Sequence, residues 1–208
     1  MNKRDEYRRL AREDVSWQKD CEFCKENALM AGAKTPYGAF VVLREGMGDD
    51  AWFCTLSPKT GGDPKRDFTI QLMPVLHLTH LSQLQGRPEL ARNYGTALSK
   101  VAAAMTSILM EEKDVNAEAR IREEGAAIAC YGKCTTWKEK KEHLHIKLFQ
   151  FRGDLGQPVT VDSSFGKKER EVDPRTGKEF VRFDPVTKKD IPARRLKALS
   201  KKIISLLT

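Results

Sequence analysis

Apolar, β-favouring residues gather in three short runs, Gly38 to Leu43, Ala51 to Leu56 and Phe68 to Val75. The stretches between them, GMGDD and PKTGGDPKRD, have turn composition, so the three runs are expected to form an antiparallel meander and not a βαβ unit. Ahead of them, Tyr7, Leu10, Ala11 and Val15 recur at near-helical spacing among charges, which predicts an amphipathic helix over residues 5 to 20. After them the period lengthens. Leu90, Tyr94, Leu98, Val101, Met105 and Leu109 make one apolar stripe on a helix from Pro88 to about Glu112, with proline suited to the first turn. Two further strands are predicted at Gly125 to Gly132 (GAAIACYG) and His143 to Phe151 (HLHIKLFQF), separated by the polar loop KCTTWKEKKE.

Beyond Gly153 the pattern changes to short strand-like pieces punctuated by Asp-Pro and Gly turns, followed by a last helix. Asp190 is a candidate cap for that helix and Pro192 fits near its first turn. Leu196, Leu199, Ile203 and Leu206 fall on one face, with Arg194, Arg195, Lys197, Lys201 and Lys202 elsewhere. A helix of this kind is expected to dock on its own core. The pattern as a whole predicts an α+β fold: a domain over residues 1–152 with an antiparallel sheet of about five strands and a long packed helix, then a basic extension over 153–208 with short strands and a terminal helix.

At 208 residues the chain suits one catalytic unit with an appendage. Its net charge of +8 is uneven, because residues 151–208 hold 14 Lys and Arg against 8 Asp and Glu. That balance favours anionic ligands, whether nucleotides, nucleic acid or a membrane surface, without choosing among them. No apolar run approaches the roughly 20 residues of a membrane span, and the opening MNKRDEYRRLARED is too charged for a signal peptide, so a cytoplasmic location and no membrane partner are expected. Five cysteines, an odd number, argue against a secreted disulfide framework and for metal ligation by close pairs.

Three segments carry candidate chemistry. In His143-Leu144-His145-Ile146-Lys147, strand alternation puts two imidazoles and a cation on one face, roughly 7 Å between successive members, while Leu144, Ile146 and Leu148 face the core. The polar row then looks into a cleft, a metal site or, on an edge strand, solvent. Cys21-Glu22-Phe23-Cys24 is a CxxC whose thiolates can reach one zinc ion but need two further ligands for a closed tetrahedral site. Cys130 and Cys134 are one possible second pair. The third segment, from Met73 to Leu84, ends a strand and places His77 and His80 ahead of a helix-like LxxL, where either histidine is a ligand or a surface residue.

Together, over about residues 21 to 151, these segments resemble the histidine-triad superfamily, including its zinc-bearing hydrolases and the branch of galactose-1-phosphate uridylyltransferase and diadenosine tetraphosphate phosphorylase. In that superfamily a strand of form HφHφHφφ, or HxHxQ, follows an upstream CxxC and a histidine preceding LxxL, in the order seen here. The resemblance implies a structural zinc ion held by Cys21, Cys24, His77 and His143. It makes His145 the nucleophile that takes up a nucleotidyl group from the α-phosphate of a nucleotide substrate, with water, phosphate or a sugar phosphate as the second acceptor. Two positions depart from the family pattern. Cys130-Tyr131-Gly132 stands where Asn-x-Gly is usual, and Lys147 occupies the third motif position, where it offers three donors and a positive charge to phosphate oxygens.

The implied activity is that of a nucleotide hydrolase or nucleotidyltransferase, with a homodimer joined through sheets or the long helix as the family's common assembly. Basic residues of the tail, with Lys65 and Arg66 in the GGDPKRD loop as further candidates, are potential partners for a leaving polyphosphate, and no spacing singles one out. The rival is a non-enzymatic zinc-stabilised module that binds nucleic acid through GKKEREVDPRTGK and ARRLKALSKK.

Overall fold

The computed structural model describes residues 17–111, 125–131, 143–151, 168–183 and 187–208, with 125–131, 151, 168–171 and 180–183 described by their backbone alone. Strands β1 (Phe40–Glu45), β2 (Trp52–Leu56) and β4 (Thr69–Pro74) pair antiparallel in sequence order, as the run-and-turn pattern predicts. The two later strands, β5 (Gly125–Tyr131) and β6 (His145–Phe151), complete a five-stranded sheet of order β1-β2-β4-β6-β5. β6 therefore lies between two partners, antiparallel to both. It is not an edge strand, which removes the reading of its polar row as simply facing water.

The sheet has two chemically different faces. Leu56, Ile70, Leu72, Ile146 and Leu148 are fully buried and form one core with the long helix α2 (Pro88–Glu111). Leu90, Val101, Met105, Ile108 and Leu109 supply the helix side of that core, and Tyr94 and Leu98 flank it. The start of α2 is tied down by Trp52, whose indole Nε1–H donates to the Leu90 carbonyl at 2.8 Å. On the other face, register aligns Val41, Thr55, Gln71 and Lys147 in one row across four strands. A bulge follows at once, where the register skips between Val41 and Leu43, so that Val42 and Leu43 join the core.

The turn from β1 to β2 depends on Gly46, whose φ of +82° belongs to the left-handed region. A methyl group there would lie 2.4 Å from the Asn93 side-chain nitrogen and 2.9 Å from the Asp50 carbonyl, two groups that hydrogen-bond to each other. Gly46→Ala is expected to cost about 2 kcal/mol and to lower the melting temperature by roughly 4–8 °C, readable by calorimetry.

The terminal helix α3 (Ala193–Leu207) buries Leu196, Leu199 and Ile203 in the same core, against β1 and α2. The extension that carries it also adds β9 (Lys189–Asp190), paired with β3 (Lys59–Thr60), and a hairpin of β7 (Lys168–Val172) and β8 (Glu179–Phe183). Three sequence expectations need correction. Asp190 lies in β9 and Pro192 occupies the cap position of α3, without a side-chain cap. Leu206 is 42% exposed, and at the end of the helix it is Ile204 and Leu207 that pack against the core. The helix expected over residues 5 to 20 falls outside the described residues up to 16, and residues 17–20 are not helical.

Candidate metal centre and adjoining cavity

The CxxC closes on the short helix α1 (Glu22–Glu26), which is too short to hold itself and is fixed by contacts to its surroundings. The Trp17 indole donates to the Cys24 carbonyl at 2.9 Å, the Asn27 amide donates to the Val75 carbonyl at 3.0 Å, and the Arg44 guanidinium donates to the Asn27 carbonyl. These bonds seat the thiols beside the end of β4. There Leu78 N–H donates to Leu76 O, a tight three-residue turn centred on His77. Leu144 N–H then donates to Leu78 O, which joins the His77 segment to the start of β6.

The ligand atoms of Cys21, Cys24, His77 and His143 consequently lie within 4.8 Å of one another. Cys21 Sγ is 3.4 Å from His143 Nδ1, and Cys24 Sγ is 3.3 Å from His77 Nδ1 and 3.6 Å from His143 Nδ1. An ion held tetrahedrally at zinc-like bond lengths gives a sulfur–nitrogen edge of about 3.5 Å, so the donor set matches a four-coordinate site. His143 Nε2 lies 2.9 Å from the Pro74 carbonyl, which can only accept; Nε2 therefore carries the proton and Nδ1 offers its lone pair to the cluster. Burial lowers the His143 pKa to about 4, which keeps the ring neutral. It also pushes the Cys24 thiol up to about 11, so ionising the thiols in this buried place calls for a cation. The described cysteines form no disulfide. Of the alternative pair, Cys134 lies outside the described residues, and Cys130, described by its backbone alone, is placed by register opposite Ile146.

His77 is buried and joins the centre. His80 is also buried, which corrects its reading as a surface residue: it caps a 3₁₀ turn at Leu81–Leu84, with its Nδ1 2.6 Å from the Thr79 hydroxyl. The helix-like LxxL is thus a single 3₁₀ turn, and the amides of the two residues that lead into it, Thr79 and His80, donate to the Gln83 side-chain oxygen.

Strand β6 begins at His145, so His143 and Leu144 lead into it and are not part of it. His145 is half-buried, with Phe23 packed 5.4 Å away, centroid to centroid; Phe23 also stands edge-on to His143 at 5.7 Å. His145 Nδ1 lies 3.1 Å from the His143 carbonyl oxygen. By the same logic Nδ1 is the donor, and in the neutral ring the lone pair sits on Nε2.

Beside this histidine, on the polar face of the sheet, a cavity of about 240 Å³ is lined by Phe23, Glu26, Tyr37, Thr55, Gln71, Lys59, Lys147 and Lys188, among others. Lys147 is 6% exposed, and burial together with the nearby Lys188 charge lowers its pKa to about 8. Glu26 is also buried, and burial raises its carboxyl above the usual range against hydrogen bonds from Thr35 and the Tyr37 amide. Sequence reasoning missed Lys59, and it counted Lys188 only among the basic residues of the tail, because no motif marks either one. Lys65 and Arg66 do not line the cavity; both are exposed, and the Arg66 carbonyl instead accepts a hydrogen bond from Arg195.

Comparison with protein-family models, with curated proteins and with solved structures gives no match to this chain. Among the described residues no helix is long and apolar enough to cross a membrane.

Proposed function

We propose that the chain is a histidine-triad-type nucleotide hydrolase or nucleotidyltransferase in which His145 takes up the nucleotidyl group. One observation carries this reading: the backbone carbonyl of His143, itself a member of the metal cluster, fixes the His145 ring so that Nε2 is the nucleophilic nitrogen. The preferred metal is zinc, given two thiols and two imidazoles with no open position, and bound there it supplies structure, locking the start of β6.

The chemistry assigned to the side chains is a double displacement at the α-phosphorus. The Nε2 lone pair forms a P–N bond as the bond to the leaving group breaks, and the leaving group departs with that electron pair. An acceptor oxygen, from water in a hydrolase or from phosphate or a sugar phosphate in a transferase, then bonds to phosphorus. The P–N pair returns to the ring, and the acceptor's proton is lost to solvent or product. Lys147, next along the same face of β6, is placed to offset charge on the non-bridging oxygens. Hydrolysis of dinucleoside polyphosphates or nucleoside phosphoramidates in ¹⁸O-water tests the assignment. It predicts label in the nucleoside monophosphate; absence of turnover with every such substrate, or label only in the departing phosphate, contradicts it.

Lys147 also sets an expected pH dependence. Its ammonium is the anion-binding form, present below about 8 and lost as pH rises through that value. The groups facing it are Lys59, Lys188 and Glu26, and neither added lysine charge offsets the loss. Affinity for phosphate-bearing ligands is expected to fall between about pH 8 and 9, and Lys147→Met should flatten that fall, as calorimetric titration can measure.

A second reading is favoured by the outer face of α3, where Arg194, Lys197 and Lys201 are exposed. It takes the chain as a nucleic-acid-binding module. Salt-sensitive RNA binding that survives His145→Ala, with no turnover of any nucleotide, supports it.

A further inference from the structure

The cavity beside His145 draws its cations from three separate parts of the chain. Lys147 lies on β6, Lys59 on β3, and Lys188 in the basic extension immediately before β9. Lys188 is brought there by specific pairing: β9 joins β3 antiparallel, with Lys59 opposite Asp190 and Thr60 opposite Lys189, and Ile191 N–H donates to the Pro58 carbonyl at 2.8 Å. Ile191 is then buried in the core, which anchors the segment on its other side. Lys188 and Lys189 are neighbours in sequence, but only Lys188 lines the cavity.

Lys59 pairs with Asp190 at 3.6 Å. Lys147 and Lys188 face each other across a small cavity with one carboxyl group and repel one another, and after burial the Lys188 charge is the further cause that lowers the Lys147 pKa. Such an arrangement is stabilised by a multiply charged anion. The position fits a phosphate beyond the one attacked, because Lys147 and His145 share a face of β6, roughly 7 Å apart.

We propose that Lys188 of the C-terminal extension, with Lys59 and Lys147, forms an anion subsite that binds the departing phosphate of the substrate, so that the extension completes the active site. The proposal rests on the nucleotidyl-transfer reading for its role, though the subsite itself does not. Substrates whose leaving group is a phosphate or polyphosphate are then preferred over those whose leaving group is an uncharged amine. The lysines hold that phosphate as charge develops on its bridging oxygen, and the bond that breaks is the one between the α-phosphorus and that oxygen.

The test uses the full metal-loaded chain and four proteins: wild type, Lys188→Met, Lys188→Arg and Lys189→Met. The last removes the same charge from the same segment outside the cavity. Inorganic phosphate binding is measured by calorimetric titration, and kcat/KM is measured for a dinucleoside polyphosphate and for a nucleoside phosphoramidate. The expected result is at least a 10-fold loss of phosphate affinity and of kcat/KM for the polyphosphate in Lys188→Met only, substantial recovery in Lys188→Arg, and less than a 3-fold change with the phosphoramidate. Equal losses for Lys188→Met and Lys189→Met, or equal losses for both substrates, overturn the proposal. If wild type turns over neither substrate, the nucleotidyl-transfer reading fails and with it the leaving-group role. The phosphate titration still decides the subsite: unchanged affinity in Lys188→Met overturns it, and selective loss upholds it.

Discussion

Replacing Cys24 with alanine is expected to abolish tight metal binding and to lower the melting temperature by roughly 6–20 °C. The magnitude follows from where the ligands come from. Cys24 sits on a five-residue helix, His77 in a three-residue turn after β4, and His143 just ahead of β6. None of these pieces is stable by local structure alone, so an ion shared among them would contribute folding free energy directly. Losing Cys24 leaves the half-buried Cys21 thiol and two buried imidazoles crowded together, a cost of about 3–5 kcal/mol at roughly 2–4 °C per kcal/mol. Metal analysis of the purified wild type should give one ion per chain, and a strong chelator should reproduce the destabilisation. Cys54→Ala is the informative contrast. Cys54 is fully buried in the core but is not in the cluster, so its loss should cost stability without changing metal content.

The second large effect is functional. His145→Ala should reduce kcat by at least on the order of 10³-fold while leaving metal content and melting temperature close to wild type. His145 is half-buried on the polar face and outside the ligand set, so the fold does not depend on it. This separation distinguishes the two histidines of the motif. His143→Ala should lose metal and stability together with activity, because its ring is 3% exposed, contacts both thiols and donates to the Pro74 carbonyl.

Much of the architecture is legible in the sequence because it is set by local pattern. The three early strands, the helix from Pro88 and the two later strands follow from apolar spacing and turn composition, and the observed bounds differ by only a few residues. The four residues of the metal cluster are likewise readable from CxxC, from a histidine at a strand end and from the paired motif. What the sequence hides depends on tertiary pairing. Nothing local puts β6 between β4 and β5, yet that placement turns Lys147 from an outward-facing residue into a buried cation. Lys59 and Lys188 lie far apart in the chain, in unremarkable lysine-bearing text, and meet only because the two-residue strands β3 and β9 pair. His80 was unreadable for a similar reason: its partners, Thr79 and Gln83, are ordinary capping residues, and only the packed turn shows that the ring is buried.

The central claim is that His145 becomes covalently nucleotidylated. It is tested most directly by intact-protein mass spectrometry of the metal-loaded chain after brief exposure to dinucleoside polyphosphates, nucleoside phosphoramidates and nucleotide sugars, quenched without acid to preserve the P–N bond. The account predicts a mass increase of one nucleotidyl group, mapped to His145 and absent from His145→Ala. Turnover of any of these substrates at an undiminished rate by His145→Ala, or an adduct that persists in it, would contradict the account.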